Sequence, residues 1–197
     1  KQITINGNGH SIDASHASRI FMINADNVVL KNLRLLNGNT DMWGGAIYCE
    51  HPLTIDNCEF ISNHAKYKGG ALYSFTELTV TNTIFSKNSA ENGGAVFVGG
   101  LAEQGSIINS VFNHNSADNR GGAVAWNATI GRLSGSTFFN NSAQLGGATY
   151  RGANSTGGYG YDNVYISNKA ELDGGAIYWN GAGGNITDSE FHNNTAG

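Results

Sequence analysis

The chain has 197 residues, a formal net charge of -4 and only 13% charged residues, with 28 Gly, 26 Asn and one Pro. Turn formers and β-branched residues replace helix formers, which argues against a helical protein, and the lack of a basic footprint argues against nucleic acid as a partner. No apolar run approaches the roughly 20 residues that cross a bilayer as a helix, and stretches such as Val28-Val29-Leu30 are strand-sized.

The chain opens on Lys1-Gln-Ile-Thr-Ile, already inside a strand pattern, and residues 1–30 read as an N-terminal coil. Residues 31–197 are a repeat. Gly-Gly-Ala starts at Gly44, Gly69, Gly93, Gly121, Gly146 and Gly174. Between these stands an aromatic, followed three residues later by Asn and five later by Ala: Phe60/Asn63/Ala65, Phe85/Asn88/Ala90, Phe112/Asn115/Ala117, Phe138/Asn141/Ala143, Tyr165/Asn168/Ala170 and Phe191/Asn194/Ala196, with Leu35/Gly38/Thr40 a degenerate first copy. Five residues before the aromatic comes an aliphatic residue (Leu30, Ile55, Val80, Ile107, Leu133, Ile186, lapsing at Gly160), and three before it a turn residue: Asn32, Asn57, Asn82, Asn109, Gly135, Asp162 or Asp188. Closing on Phe191 to Gly197, partway through the motif, residues 1–197 are expected to be a single domain and a fragment of a larger surface protein, with any leader, anchor and caps outside it.

A period of 25–27 residues holds two or three short strands and their turns but no helical crossover. One such coil cannot bury its own apolar face, whereas stacked coils share a continuous core. The expected fold is therefore all-β: a right-handed single-stranded parallel β-helix of about seven coils, forming a rod of roughly 35 Å. Each recurring residue then becomes a column along the rod. Stacked aromatics and hydrogen-bonded Asn ladders are read as architecture, and the Gly-Gly pair as another corner. Drift in the period is expected to fall in loops at Gly99 to Gly105 and Gly152 to Gly160.

Cys49 and Cys58 lie nine residues apart, in no metal-ligand motif. A bridge between them is open, but buried free thiols acting as small hydrophobes are the commoner case.

Gly-Gly-Ala-(Ile/Leu/Val) with Phe-x-x-Asn resembles the repeats of chlamydial polymorphic outer-membrane proteins. With the Ala two residues after the Asn, and the opening Ile3-Thr-Ile-Asn-Gly-Asn-Gly-His-Ser-Ile12-Asp, the chain is more similar still to adhesin-like proteins of methanogenic archaea. The resemblance implies a large extracellular, surface-exposed protein whose β-helix mediates attachment to other microbes or host surfaces, with no catalytic residues to carry over. The pattern lapses at Ala125, Thr149 and Gly160.

Parallel β-helices also carry polysaccharide lyases and hydrolases, so an enzyme is weighed residue by residue. Asn39-Thr40-Asp41 resembles the first acidic motif of polygalacturonases, but the later Asp-Asp, Gly-His-Gly and Arg-Ile-Lys are missing, and Asp41 reads as a turn residue. Aligned coils place Glu59 in a column whose only other acid is Glu190, so no calcium-binding column forms. His64, His114 and His192 fall at different steps of the repeat.

A binding surface is sought in the residues five after each Gly-Gly start: Cys49, Ser74, Val98, Trp126, Arg151 and Trp179. The Arg suggests that this column points outward, leaving Tyr48, Tyr73, Phe97, Tyr150 and Tyr178 in the core. The same assignment leaves Ile47, Leu72, Val96, Val124 and Ile177 outside, under a loop or a partner. On this reading Trp126, Arg151 and Trp179 form an exposed stack about 10 Å long, extended by Tyr159 and Tyr161 and suited to sugar rings or a protein anchor. Five sequons, at Asn127, Asn140, Asn154, Asn185 and Asn193, are compatible with a glycosylated surface protein. The expected function is non-catalytic attachment to a surface protein or glycan of another microbe or host, without cofactor or metal; a structural stalk, and then a polysaccharide lyase or hydrolase, are the alternatives.

Overall fold

A computed structural model of the chain describes residues 2–99, 104–127 and 130–197, the side chain of Gln104 excepted. Every strand pairs in parallel, and the chain winds through four sheets in turn to build a β-solenoid of about seven turns. The first sheet has eight strands, from Ile3–Asn6 and Val28–Lys31 to Thr156–Tyr161 and Ala182–Thr187. The second, also of eight, carries the aromatics, as in Glu59–Ile61 and Ile84–Ser86. The third and fourth have seven each, represented by Ser89–Asn92 and Val96–Val98. Between the third and fourth sheets lies the Gly-Gly corner.

Three corners of each turn use left-handed backbone. The residue three before the aromatic has φ between 49° and 59° from Asn32 to Asp188, which suits Asn, Asp and Gly. A second such column, two after the aromatic, runs Asn37, Ser62, Lys87, His114, Asn140, Ser167 and Asn193. Its mixed chemistry hid it from sequence comparison. At the third corner the first Gly of each pair has φ near 65°, whereas the second answers to space: a Cβ at Gly45, Gly70, Gly94, Gly122 or Gly147 would collide with the carbonyl oxygen of the Gly one turn on.

Inside, Phe60, Phe85, Phe112, Phe138, Tyr165 and Phe191 stack with ring centroids 4.8–4.9 Å apart. Beside them the Asn ladder satisfies nearly every polar atom it buries. Asn115 Nδ2 donates to Phe85 O and to Asn141 Oδ1, both at 3.0 Å, while its Oδ1 accepts from the backbone and side chain of Asn88 at 3.0 Å. A further ladder went unseen in the sequence. Backbone N–H groups of Cys58, Thr83, Ser110, Ser136 and Asn163 donate to the side chain one turn on, at Thr83, Ser110, Ser136, Asn163 and Ser189. Cys58 thus occupies a hydroxyl position. It and Cys49 are both buried free thiols, with no disulfide between them.

Residues 100–103 of the Gly99 to Gly105 loop lie outside the described residues. Gly152 to Gly160 is not simply a loop, since a turn there leads into the strand Thr156–Tyr161 and Gly160 pairs in register with Leu133 and Ile186. Among the described residues no helix is long and apolar enough to cross a membrane.

Candidate functional site

The strands of the fourth sheet are three residues long and apolar on both faces, as in Ile47–Cys49 and Val96–Val98. Strand alternation makes the two ends of each face one way and the middle residue the other. The structure places the ends inside: Ile47, Leu72, Val96 and Val124 are at most 1% exposed and belong to the main core with Cys49, Val98 and Trp126. The expected outward column is therefore corrected. Trp126 and Arg151 are 1% and 2% exposed, and Trp179 is half-buried.

The expected stack does exist, turned inward. The Arg151 guanidinium carbon lies 5.5 Å from the Trp126 ring centroid and 4.8 Å from that of Trp179. Room comes from the facing first sheet, where a Cβ at Gly131 would collide with the Trp126 indole and one at Gly158 with Arg151 Nη1. Among the described residues Arg151 Nη1, Trp126 Nε1 and Ser155 Oγ have no hydrogen-bond partner, and Arg151 Nη2 reaches only Tyr159 O, at 3.4 Å. Burial lowers the Arg151 pKa to about 10, leaving it charged at neutral pH and held by the two indole faces. Tyr159 and Tyr161 are on the outer side of the first sheet, 51% and 48% exposed, so the five expected residues form no single site.

The middle residues of the fourth sheet face outward: Met22, Tyr48, Tyr73, Phe97, Ala125, Tyr150 and Tyr178, each paired with the next along the rod. Their rings form a second stack outside the core, with centroids 5.4 Å apart for Tyr48–Tyr73, 5.7 Å for Tyr73–Phe97 and 5.5 Å for Tyr150–Tyr178. Ala125 interrupts it. Across the Gly-Gly corner runs a parallel column: Trp43, Lys68, Asn92, Arg120, Leu145 and Asp173. Three of its members reach over the ring of the following turn. Trp43 lies 5.2 Å from Tyr73, Lys68 Nζ 4.8 Å from Phe97 and Arg120 Cζ 5.2 Å from Tyr150, measured to ring centroids.

This cover explains why Tyr73, Phe97 and Tyr150 are only 4–8% exposed although they stand outside the tube. At the N-terminal end Arg19 lies 5.3 Å from the Tyr48 ring centroid and donates to Trp43 O and Gly44 O, and burial lowers its pKa. Tyr48 donates to Glu50 Oε1 at 2.7 Å; burial and that hydrogen bond push its pKa up to about 12. Met22, Met42, Trp43 and Tyr48 line an open apolar recess there. Sequence reasoning assigned these rings to the core. The signal against it was the aliphatic column at Ile47, Leu72, Val96, Val124 and Ile177, which that assignment left in water.

Asp41 is exposed at a bend, and Glu59 faces Arg34 at 2.8 Å in a column that continues through Ile84, Val111, Thr137 and Val164. Among the described residues no group of three or more His, Cys, Asp or Glu side chains is placed to hold a metal ion.

No curated protein and no solved structure matches the chain. Residues 57–74 and 82–99 match the Chlamydia polymorphic membrane protein repeat, and each spans one Asn corner, one core aromatic and one Gly-Gly-Ala. The chain is a β-helix repeat protein with repeats similar to those of the polymorphic membrane proteins.

Proposed function

We propose that this chain is a surface-exposed, non-catalytic attachment domain of an adhesin, of the kind the methanogen adhesin-like proteins represent, and that the outer face of its fourth sheet is the contact face. One observation carries the reading: a row of stacked rings outside the core, from Tyr48 to Tyr178, edged by Arg19, Lys68 and Arg120. A rod needs only the inner stack for cohesion. A second, cation-edged stack offers flat apolar faces and charge together, the combination found where sugar rings or protein anchors dock. The similarity to polymorphic membrane protein repeats supports a place at the cell surface. Carboxylates dispersed over unrelated columns support binding without catalysis.

The labelled chain, applied to a panel of microbial cells and polysaccharides with product release followed in the same samples, tests the reading. Saturable binding without cleavage is expected, reduced in a Tyr48→Ser/Tyr178→Ser variant whose changes fall on half-buried rings. Cleavage would establish an enzyme. Binding to nothing would leave a stalk, the reading favoured by the regularity of the Asn ladder alone.

A further inference from the structure

We propose that the gap at Ala125 is a binding slot for one acidic sugar ring. The inference rests on the outer face of the fourth sheet being a contact face, and names what that face takes.

The outer stack repeats at 5.4–5.7 Å per turn, so Phe97 and Tyr150, two turns apart, stand roughly 11 Å from each other. A ring midway would lie about 5.5 Å from each, the spacing of every other pair in the row and within the ordinary range for stacked rings. Ala125 supplies no such ring. The resulting cavity of about 120 Å³ is lined by Phe97, Ala125, Tyr150, Lys68, Arg120 and Asn127, together with Asn92. Its two walls are the rings of Phe97 and Tyr150, which Lys68 and Arg120 cover in the unbound chain; a pyranose stacks its C–H faces onto them as these two side chains swing to the rim.

Charge selects among rings. Lys68 and Arg120 both border the cavity, and among the described residues no carboxylate does. Neither cation makes an ion pair with another described residue, although the chain as a whole is acidic at -4. A carboxylate on the ring would meet Arg120 and Lys68 at the rim, and the amides of Asn92 and Asn127 offer partners for hydroxyls. A neutral aromatic side chain would use the walls and leave both cations unanswered. An acidic sugar, uronic or sialic in type, uses both.

The test measures binding of the whole chain to trigalacturonate and 3′-sialyllactose against their uncharged counterparts, methyl-esterified trigalacturonate and lactose. At least one acidic probe is expected to bind about ten-fold or more tightly than its counterpart, the worth of one charge-assisted hydrogen bond. Ala125→Tyr, which supplies the missing ring, should abolish this binding. Arg120→Gln, at an exposed side chain that leaves the fold intact, should weaken it about ten-fold and flatten its salt dependence. Circular dichroism and the unfolding midpoint establish that each variant is folded; should Ala125→Tyr not fold, Ala125→Leu and Arg120→Gln carry the decision. Equal binding of acidic and neutral probes, or full binding by the slot-filled variant, overturns the proposal. Attachment to cells that survives Ala125→Tyr but is lost in Tyr48→Ser/Tyr178→Ser overturns the slot while sparing the contact face; attachment indifferent to both variants removes the contact face itself.

Discussion

In the N-terminal half of the rod the last residue of each fourth-sheet strand is Ile23, Cys49, Ser74 or Val98, and the first-sheet column across the core holds Val28, Leu53 and Leu78. In the C-terminal half the same two columns hold Trp126, Arg151 and Trp179 against Gly105, Gly131, Gly158 and Gly184. The cross-section is set by the backbone and hardly changes, so a large residue on one sheet requires a missing one on the other. The first solution buries little polarity, the Ser74 hydroxyl that donates to Thr76 O and the unpartnered Thr76 Oγ1, and the second buries more polar atoms. Arg151, Trp126 and Ser155 each keep one without a partner, and Tyr165 adds a phenol among them whose pKa burial raises. The outer stack divides at the same place, since Ala125 falls in the turn where the exchange begins.

Mixing the two solutions should have the largest effect. Gly131→Leu puts an N-terminal-type residue opposite Trp126 and is expected to cost at least ~3 kcal/mol by overpacking. Adding Trp126→Ser, which restores the pairing of Ser74 with Leu78, should recover most of that loss; denaturant titration of single and double variants measures the coupling. No recovery would show that the columns do not compensate each other.

The N-terminal half should show its own pH signature. Burial pushes the Cys49 thiol from 9.0 to about 11. The unfolded chain then ionises first, so stability is intact below pH 9 and falls as the pH rises from 9 through 11, by up to ~3 kcal/mol. Cys49→Ser, matching Ser74, should flatten that fall. Both thiols should resist alkylation at pH 8 until the chain unfolds.

In the polar half the indole clamp and the desolvated charge oppose each other. Arg151→Met keeps the stem and removes the charge, and is expected to leave stability unchanged or raise it by ~1–2 kcal/mol, whereas Arg151→Ala opens a cavity and should lower it by ~2 kcal/mol or more. A loss with Met as large as that with Ala would mean the cation–π pair outweighs desolvation. The smallest effect belongs to the outer stack, where Ala125→Tyr should raise stability by ~1 kcal/mol in thermal unfolding, as one more stacked pair.

Much of this was legible in the sequence because stacking turns local chemistry into columns. The aromatic at Phe60 and its successors, the Asn at Asn63 and its successors, and the turn residues from Asn32 to Asp188 each answer a demand of their own turn, repeated identically one turn on. The column at Ser62, Lys87 and His114 was not legible, because a left-handed corner open to solvent tolerates several side chains. The polar ladder from Thr83 to Ser189 was missed for the same reason, since hydroxyl and amide serve equally to accept one N–H.

By itself, then, the sequence determined the period, the β-solenoid and the corners, since these rest on conformational preferences that each residue expresses locally. Only the tertiary structure decided which way the fourth sheet faces. A three-residue strand with apolar side chains on both sides fits the tube in either orientation, and only the aliphatic column beside Tyr48, Tyr73 and Phe97 weighed against turning those rings inward. In the C-terminal half what broke the tie lay on the opposite sheet, where Gly105, Gly131, Gly158 and Gly184 open space for Trp126, Arg151 and Trp179. Orientation is a property of two facing columns, and no window of one strand contains both.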